Sequence, residues 1–172
     1  MRINVAQQLK QPIGQVRRYQ ISEINDQDLP IEGEVQLLRT NRSILVTARL
    51  KTTVKCICSR CLEEFEHPLT LDIEEEYFPT ADTTSGASLS LPEGAEGFVI
   101  DESHVLDLSE AIRQHTLLAL PMKPICQDDC AGLCPDCGHN LNYGPCHCTG
   151  GIVSSPWAQL RSWRPEGEER ER

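Results

Sequence analysis

No stretch of this chain approaches the ~18 consecutive apolar residues of a membrane-spanning helix, which argues against a helical membrane protein. The opening MRINVAQQLKQPIGQ has no apolar h-region, so a secretory signal peptide is not expected and the cytoplasm is the expected compartment. No HExxH, Walker loop, GxSxG or GxGxxG occurs, and no two carboxylates are marked out as a catalytic pair. The chain is therefore not expected to be an enzyme. Residues 61–112 contain no Lys or Arg at all, against fourteen Asp/Glu. Apolar residues make up only 39 % of the 172 positions, so part of the stability has to come from something besides a core. Metal ligation is the obvious source.

The charge is unevenly laid out. Residues 1–60 carry ten Lys/Arg and five Asp/Glu, and the whole chain has a formal charge of −10. A protein that acidic is not a general polyanion binder, so any RNA contact must be local. The clearest period-2 signal runs from Ser43 to Cys58. Ile44, Val46, Ala48, Leu50, Val54 and Cys56 fall on one face, and Thr47, Arg49, Lys51, Thr53 and Lys55 on the other. A second alternation sets Leu69, Leu71, Ile73 and Tyr77 against Thr70, Asp72, Glu74 and Glu76. An antiparallel hairpin whose connection carries Cys58 and Cys61 accounts for both runs. It also lets Arg49, Lys51 and Lys55 face Asp72, Glu74 and Glu76, which makes a self-neutralised solvent face or, alternatively, an RNA-facing basic stripe.

Residues 31–40 read as a further strand, and residues 80–97 have linker composition. A helix is predicted over 107–120, with Asp107 as cap, Glu110 completing a capping box and Pro121 as stop. Its apolar stripe is Leu108, Ala111, Ile112 and Ala119, with His115 as a hydrogen-bonded, half-buried residue on it. The fold class implied is α+β: a small antiparallel β-sheet domain with one main helix and a C-terminal zinc-ribbon-like Cys cluster. The organisation is 1–121 for the β-rich domain, 122–150 for the Cys-rich segment, and 151–172 for a short helix and a disordered tail. In that last piece Ser155 caps, Pro156 opens the helix, and Trp157, Leu160 and Trp163 form a stripe.

Nine cysteines in a cytoplasmic chain favour metal or redox chemistry over disulfides, and an odd number cannot all pair. The strongest local signal is the CPDCG around Cys134 and Cys137. Two thiolates at Cys-x2-Cys spacing converge on one tetrahedral ion, Gly138 supplies the positive φ that closes such a knuckle, and backbone N–H groups hydrogen-bond the sulfurs. Cys146 and Cys148, two apart in extended chain, complete that site. Cys126 and Cys130 with Cys58 and Cys61 make a second four-thiolate site tying the helix exit to the sheet. Cys56 is left out because its strand phase puts it among apolar neighbours. Alternatives stay open: Cys56 and Cys58 contributing together, His139 or His147 replacing one thiolate, iron–sulfur in place of zinc, or a redox CxxC. Two Zn²⁺ ions are the expected cofactors.

The motifs C58-S-R-C61-L-E-E-F65, the helix with its LLALPMKPIC exit, CAGLCPDCGHNLN and the PWAQLRSW tail together resemble the YceD family. These are the large ribosomal RNA subunit accumulation proteins of bacteria and plastids. The resemblance covers most of the chain and implies a non-enzymatic role in accumulation or processing of large-subunit (23S) rRNA, hence in ribosome biogenesis. It also implies a partner that is an rRNA precursor or a ribosome-assembly or RNA-processing protein; no membrane partner is expected, for want of a long apolar run. Some relatives keep the first CxxC without the CPxCG cluster, which implies two separable sites. Two other readings compete: a protein-interaction adaptor whose acidic segment binds a basic protein, and a thiol oxidoreductase.

Overall fold

The computed structural model describes residues 1–24, 29–91 and 97–148. Its frame is one seven-stranded sheet. The strands are β1 (Arg2–Asn4), β2 (Val16–Ile24), β3 (Pro30–Arg39), β4 (Ile44–Ile57), β5 (Glu64–Pro79), β6 (Phe98–Ile100) and β7 (Val105–Asp107). The helices are a short α1 (Ala6–Leu9) and the main α2 (Ser109–Ala119). Strand order is β1-β7-β6-β5-β4-β3-β2, antiparallel throughout except for a parallel β5–β6 pair. The architecture is thus a mostly antiparallel sheet with one main helix. The sheet is larger than the small one expected, and it curls. Ile3 of β1 and Tyr19 and Ile21 of β2, from opposite ends of the strand order, line the same cavity. No helix among the described residues is long and apolar enough to cross a membrane.

The period-2 runs place the core. Ile44, Val46, Ala48, Leu50 and Val54 of β4 are buried with Leu69, Leu71, Ile73 and Tyr77 of β5, beneath Leu108 and Ile112. Each such aliphatic side chain contributes roughly 1.5–3 kcal/mol on burial. Cys56 packs at the margin of this core. On the outer face the register puts Arg49 opposite Asp72, with Nε 2.7 Å from Oδ1. The other expected pairings differ. Lys51 faces Thr70, Lys55 faces Glu66, and Glu74 faces Thr47. On the β3 side Glu34 lies opposite Arg49 and Glu32 opposite Lys51, so the basic stripe is flanked by carboxylates from both neighbours. Glu76 is taken up by the Ser43 hydroxyl.

Gly33 lets β3 and β4 approach. Its φ is +155°, and a Cβ there would lie 2.1 Å from the Arg49 carbonyl oxygen. Gly33→Ala is expected to destabilise the sheet by about 3 kcal/mol, read as a lowered urea midpoint.

The helix begins later than predicted, and its capping differs. Leu108 stands at the cap position with no side-chain cap bond; Asp107 Oδ1, one residue further out, accepts the Ser109 N–H at 2.9 Å, and Glu110 does not reach back to close a box. Its carboxylate instead accepts from Arg113 and Gln114. Ala111 and Ile112 are buried, whereas Ala119 is exposed. His115 is half-buried and lies 3.0 Å from Glu75 Oε1. Residues 80–91 are a compact excursion, not an open linker. Asp82 Oδ1 accepts the N–H groups of Thr84 and Ser85, and Ala81 bridges Ser88. Residues 92–96 and the predicted 151–172 helix and tail, Trp157, Leu160 and Trp163 included, lie outside the described residues.

Candidate metal centres

The long β4–β5 hairpin ends in a knuckle. After the closing pair Ile57–Glu64, the Cys58 N–H donates to the Glu63 carbonyl at 2.9 Å and the Leu62 N–H to the Cys58 carbonyl at 3.0 Å. Leu62 takes the positive φ, 60°, that the turn demands. The Arg60 N–H lies 3.4 Å from Cys58 Sγ. Beyond α2 the chain returns across this knuckle. The Ser59 N–H donates to the Pro124 carbonyl at 2.8 Å, and the Arg60 guanidinium donates to the carbonyls of Asp128 and Cys130. That docking delivers Cys126 and Cys130. Cys58 Sγ is 3.8 Å from Cys130 Sγ, Cys61 Sγ is 3.7 Å from Cys126 Sγ, and all four sulfurs lie within 4.8 Å of one another.

The CPDCG turn repeats the same ladder. The Cys134 N–H donates to the His139 carbonyl at 2.8 Å and the Gly138 N–H to the Cys134 carbonyl at 2.9 Å. Gly138, φ 73°, stands where Leu62 stands in the first knuckle. Cys134, Cys137, Cys146 and Cys148 also come within 4.8 Å of one another, with Cys146 Sγ 3.3 Å from Cys134 Sγ. The rings of His139 and His147 belong to neither group, nor does Cys56. No cysteine is in a disulfide.

The thiols within each group are unequal. Cys58 is pulled down to about 6, chiefly by the Cys61 N–H, with those of Arg60 and Cys126 adding to it against the effect of burial. Cys134 falls to about 7 through the N–H groups of Cys137 and Asp136. Cys130 is lowered first by the Asn142 side chain. Cys126 is pushed up to about 12 by burial and then by the neighbouring sulfurs, and Cys148 to about 12, by Cys137 first. Each group therefore stabilises some thiolates at neutral pH while crowding holds others protonated. A cation at the centre removes that conflict. The edge of a tetrahedron with ~2.3 Å metal–sulfur bonds is about 3.8 Å. The Cys58–Cys130 and Cys61–Cys126 sulfur separations match it, so the donor set and its spacing fit a tetrahedral thiophilic ion.

The family model of the large ribosomal RNA subunit accumulation protein YceD matches residues 46–162, a span that starts within β4 and takes in both knuckles. The chain belongs to the YceD family. An uncharacterised protein of Mycobacterium tuberculosis and one of Mycobacterium bovis are each 30 % identical to it over 135 residues, covering 78 % of this chain. The chain spans 62 % of the length of those relatives. A maize protein, the chloroplastic large ribosomal RNA subunit accumulation protein YCED homolog 1, is 28 % identical, over 66 % of this chain and 46 % of its own length. No solved structure matches the chain.

In this YceD chain the structure brings together the eight cysteines singled out by spacing, in the two sets expected. Sequence reasoning passed over Asn142, Tyr143 and Arg60. Asn142 Nδ2 donates to Cys130 Sγ at 3.3 Å, and the Tyr143 hydroxyl donates to Glu63 at 2.6 Å. The signal available was the NLN run inside the second knuckle's return loop, which composition alone marks only as turn-rich.

Proposed function

We propose that this YceD chain is a non-enzymatic factor supporting accumulation of large-subunit (23S) rRNA during cytoplasmic ribosome biogenesis, stabilised by two zinc ions. Cys58, Cys61, Cys126 and Cys130 hold the first, and Cys134, Cys137, Cys146 and Cys148 hold the second in a ribbon-like knuckle. The observation that carries the reading is the match across residues 46–162, which spans both four-thiol groups. All-sulfur tetrahedral coordination favours zinc among abundant divalent ions, and closed four-thiolate sites are structural. The burial of Cys58, whose thiol is lowered to about 6, supports a structural role over redox exchange, which needs an accessible thiolate. Depleting the protein is expected to lower mature 23S rRNA while 16S rRNA stays unchanged. Wild-type chain restores it and the Cys58→Ser chain does not. Normal levels of both rRNAs after depletion would overturn the reading.

A second reading, an adaptor for a basic ribosomal or RNA-processing protein, draws on the outer face of β5. Among the described residues no ion pair engages Glu64, Glu66 or Glu74. Salt-sensitive capture of one basic protein from nuclease-treated lysate favours this form of action. Loss of RNA binding on charge reversal of Arg49, Lys51 and Lys55 favours direct contact.

A further inference from the structure

The two four-thiol groups are not independent. The loop between Cys137 and Cys146 is closed by the second group, and it reaches back to the first at two points. Asn142 is the principal one, and all of its amide is used. Its Oδ1 accepts the Ala131 N–H at 2.8 Å, which fixes which end of the amide is which. Its Nδ2 then has one N–H for Asn140 Oδ1, 2.8 Å away, and one for Cys130 Sγ, 3.3 Å away. The backbone of the loop is held in the same place, with the Leu141 N–H on the Gly132 carbonyl at 2.8 Å and Leu133 bridging Asn140. Two residues before Gly132 is Cys130 itself. The second contact is the Tyr143 hydroxyl on Glu63, whose own carbonyl accepts the Cys58 N–H that shapes the first knuckle.

We propose that Asn142 makes the two centres interdependent: closure of the second centre around its ion holds the loop that presents Asn142 to the Cys130 sulfur, and this hydrogen bond tightens ion binding at the first. An N–H directed at a metal-bound thiolate spreads its charge and fixes its orientation, and partners of this kind commonly change metal affinity about 10–100-fold. The coupling is reciprocal, so occupancy of the first centre steadies the loop for the second. The inference rests on the two-zinc reading above. Asn142 acts here as a positioning residue and touches no ion.

The test uses the full chain loaded with zinc and challenged with a chelator. The appearance of alkylated Cys61 and Cys126, mapped by mass spectrometry, reports release from the first centre alone. Three proteins are compared: wild type, a Cys137→Ser/Cys148→Ser chain lacking the second centre, and Asn142→Leu, which keeps all eight ligands. Release from the first centre is expected to be about 10-fold faster or more in both variants. With Co²⁺ in place of zinc, Asn142→Leu is also expected to shift a sulfur-to-metal charge-transfer band to lower energy, as loss of an N–H···S bond raises the sulfur lone pair. Wild-type release rates in both variants would overturn the coupling. Acceleration in the double variant without any in Asn142→Leu would overturn the assignment to Asn142. A wild-type chain that binds neither ion would overturn the zinc reading and the coupling with it.

Discussion

Cys58→Ser is expected to strip the first zinc, leave the second bound, and release the 122–148 segment from the hairpin. The reason lies in how much converges on that sulfur. Cys58 is fully buried, faces Cys130 at 3.8 Å and accepts the N–H groups of Arg60 and Cys126. Among the described residues the satellite core around it has little besides cysteines, with Phe65 and Ile125 as apolar neighbours. A group that small cannot hold a returning segment by apolar burial, so the ligation energy becomes folding energy. The expected results are one zinc lost per chain and protease cleavage appearing within 122–148. The thermal midpoint should fall by on the order of 10 °C or more. Cys56→Ser, two residues away and outside both groups, should leave both ions in place.

Acidification is expected to empty the second centre before the first. Cys58 and Cys134 have folded-state values of about 6 and about 7, below the ordinary thiol value of 9.0. A depressed value means that the favourable interaction is present above the ordinary pKa and is lost as pH falls through the folded one. A bound cation extends the thiolate range further down, so each centre holds its ion at neutral pH and releases it in acid. The order follows from burial, since Cys58, Cys61 and Cys130 of the first centre are buried. Exposure of Cys137 and Cys148 adds to it, since water and protons reach the second centre first. Metal release followed from pH 8 to pH 4, with alkylation mapping which cysteines open, should show two steps in that order. Release independent of pH, or the first centre emptying first, would contradict the assignment.

The sheet's middle was readable from residues because β4 and β5 are long and one-sided. Ile44 to Val54 and Leu69 to Tyr77 alternate cleanly enough to announce both strands and the knuckle between them. The grouping of the cysteines was readable in part: Cys58/Cys61 and Cys134/Cys137 have Cys-x2-Cys spacing, whereas Cys126 and Cys130 were assigned as the pair left over, with Cys56, His139 and His147 as open alternatives. The rest was hidden for physical reasons. β1, β6 and β7 are three residues each, too short for period 2 to register, and their pairing is decided by long-range packing. The pairing of Lys51 and Glu74 depended on the register that the Cys58–Glu63 turn sets, which no charge pattern specifies. Leu62 in a positive-φ position ran against the expectation of Gly, and the knuckle's hydrogen bonds, repeated around Gly138, show why the backbone conformation is required there. Asn142 was invisible because its partner, Cys130, belongs to the other centre.

On the function proposed above, eight of the nine cysteines hold two zinc ions in two closed, structural centres. Native mass spectrometry of the full chain, purified without added metal and alkylated before denaturation, tests it most directly. The expected result is a mass excess of two zinc ions, eight protected cysteines and alkylation confined to Cys56. Disulfides, an iron–sulfur mass, or a metal-free chain with all nine thiols reactive would contradict it.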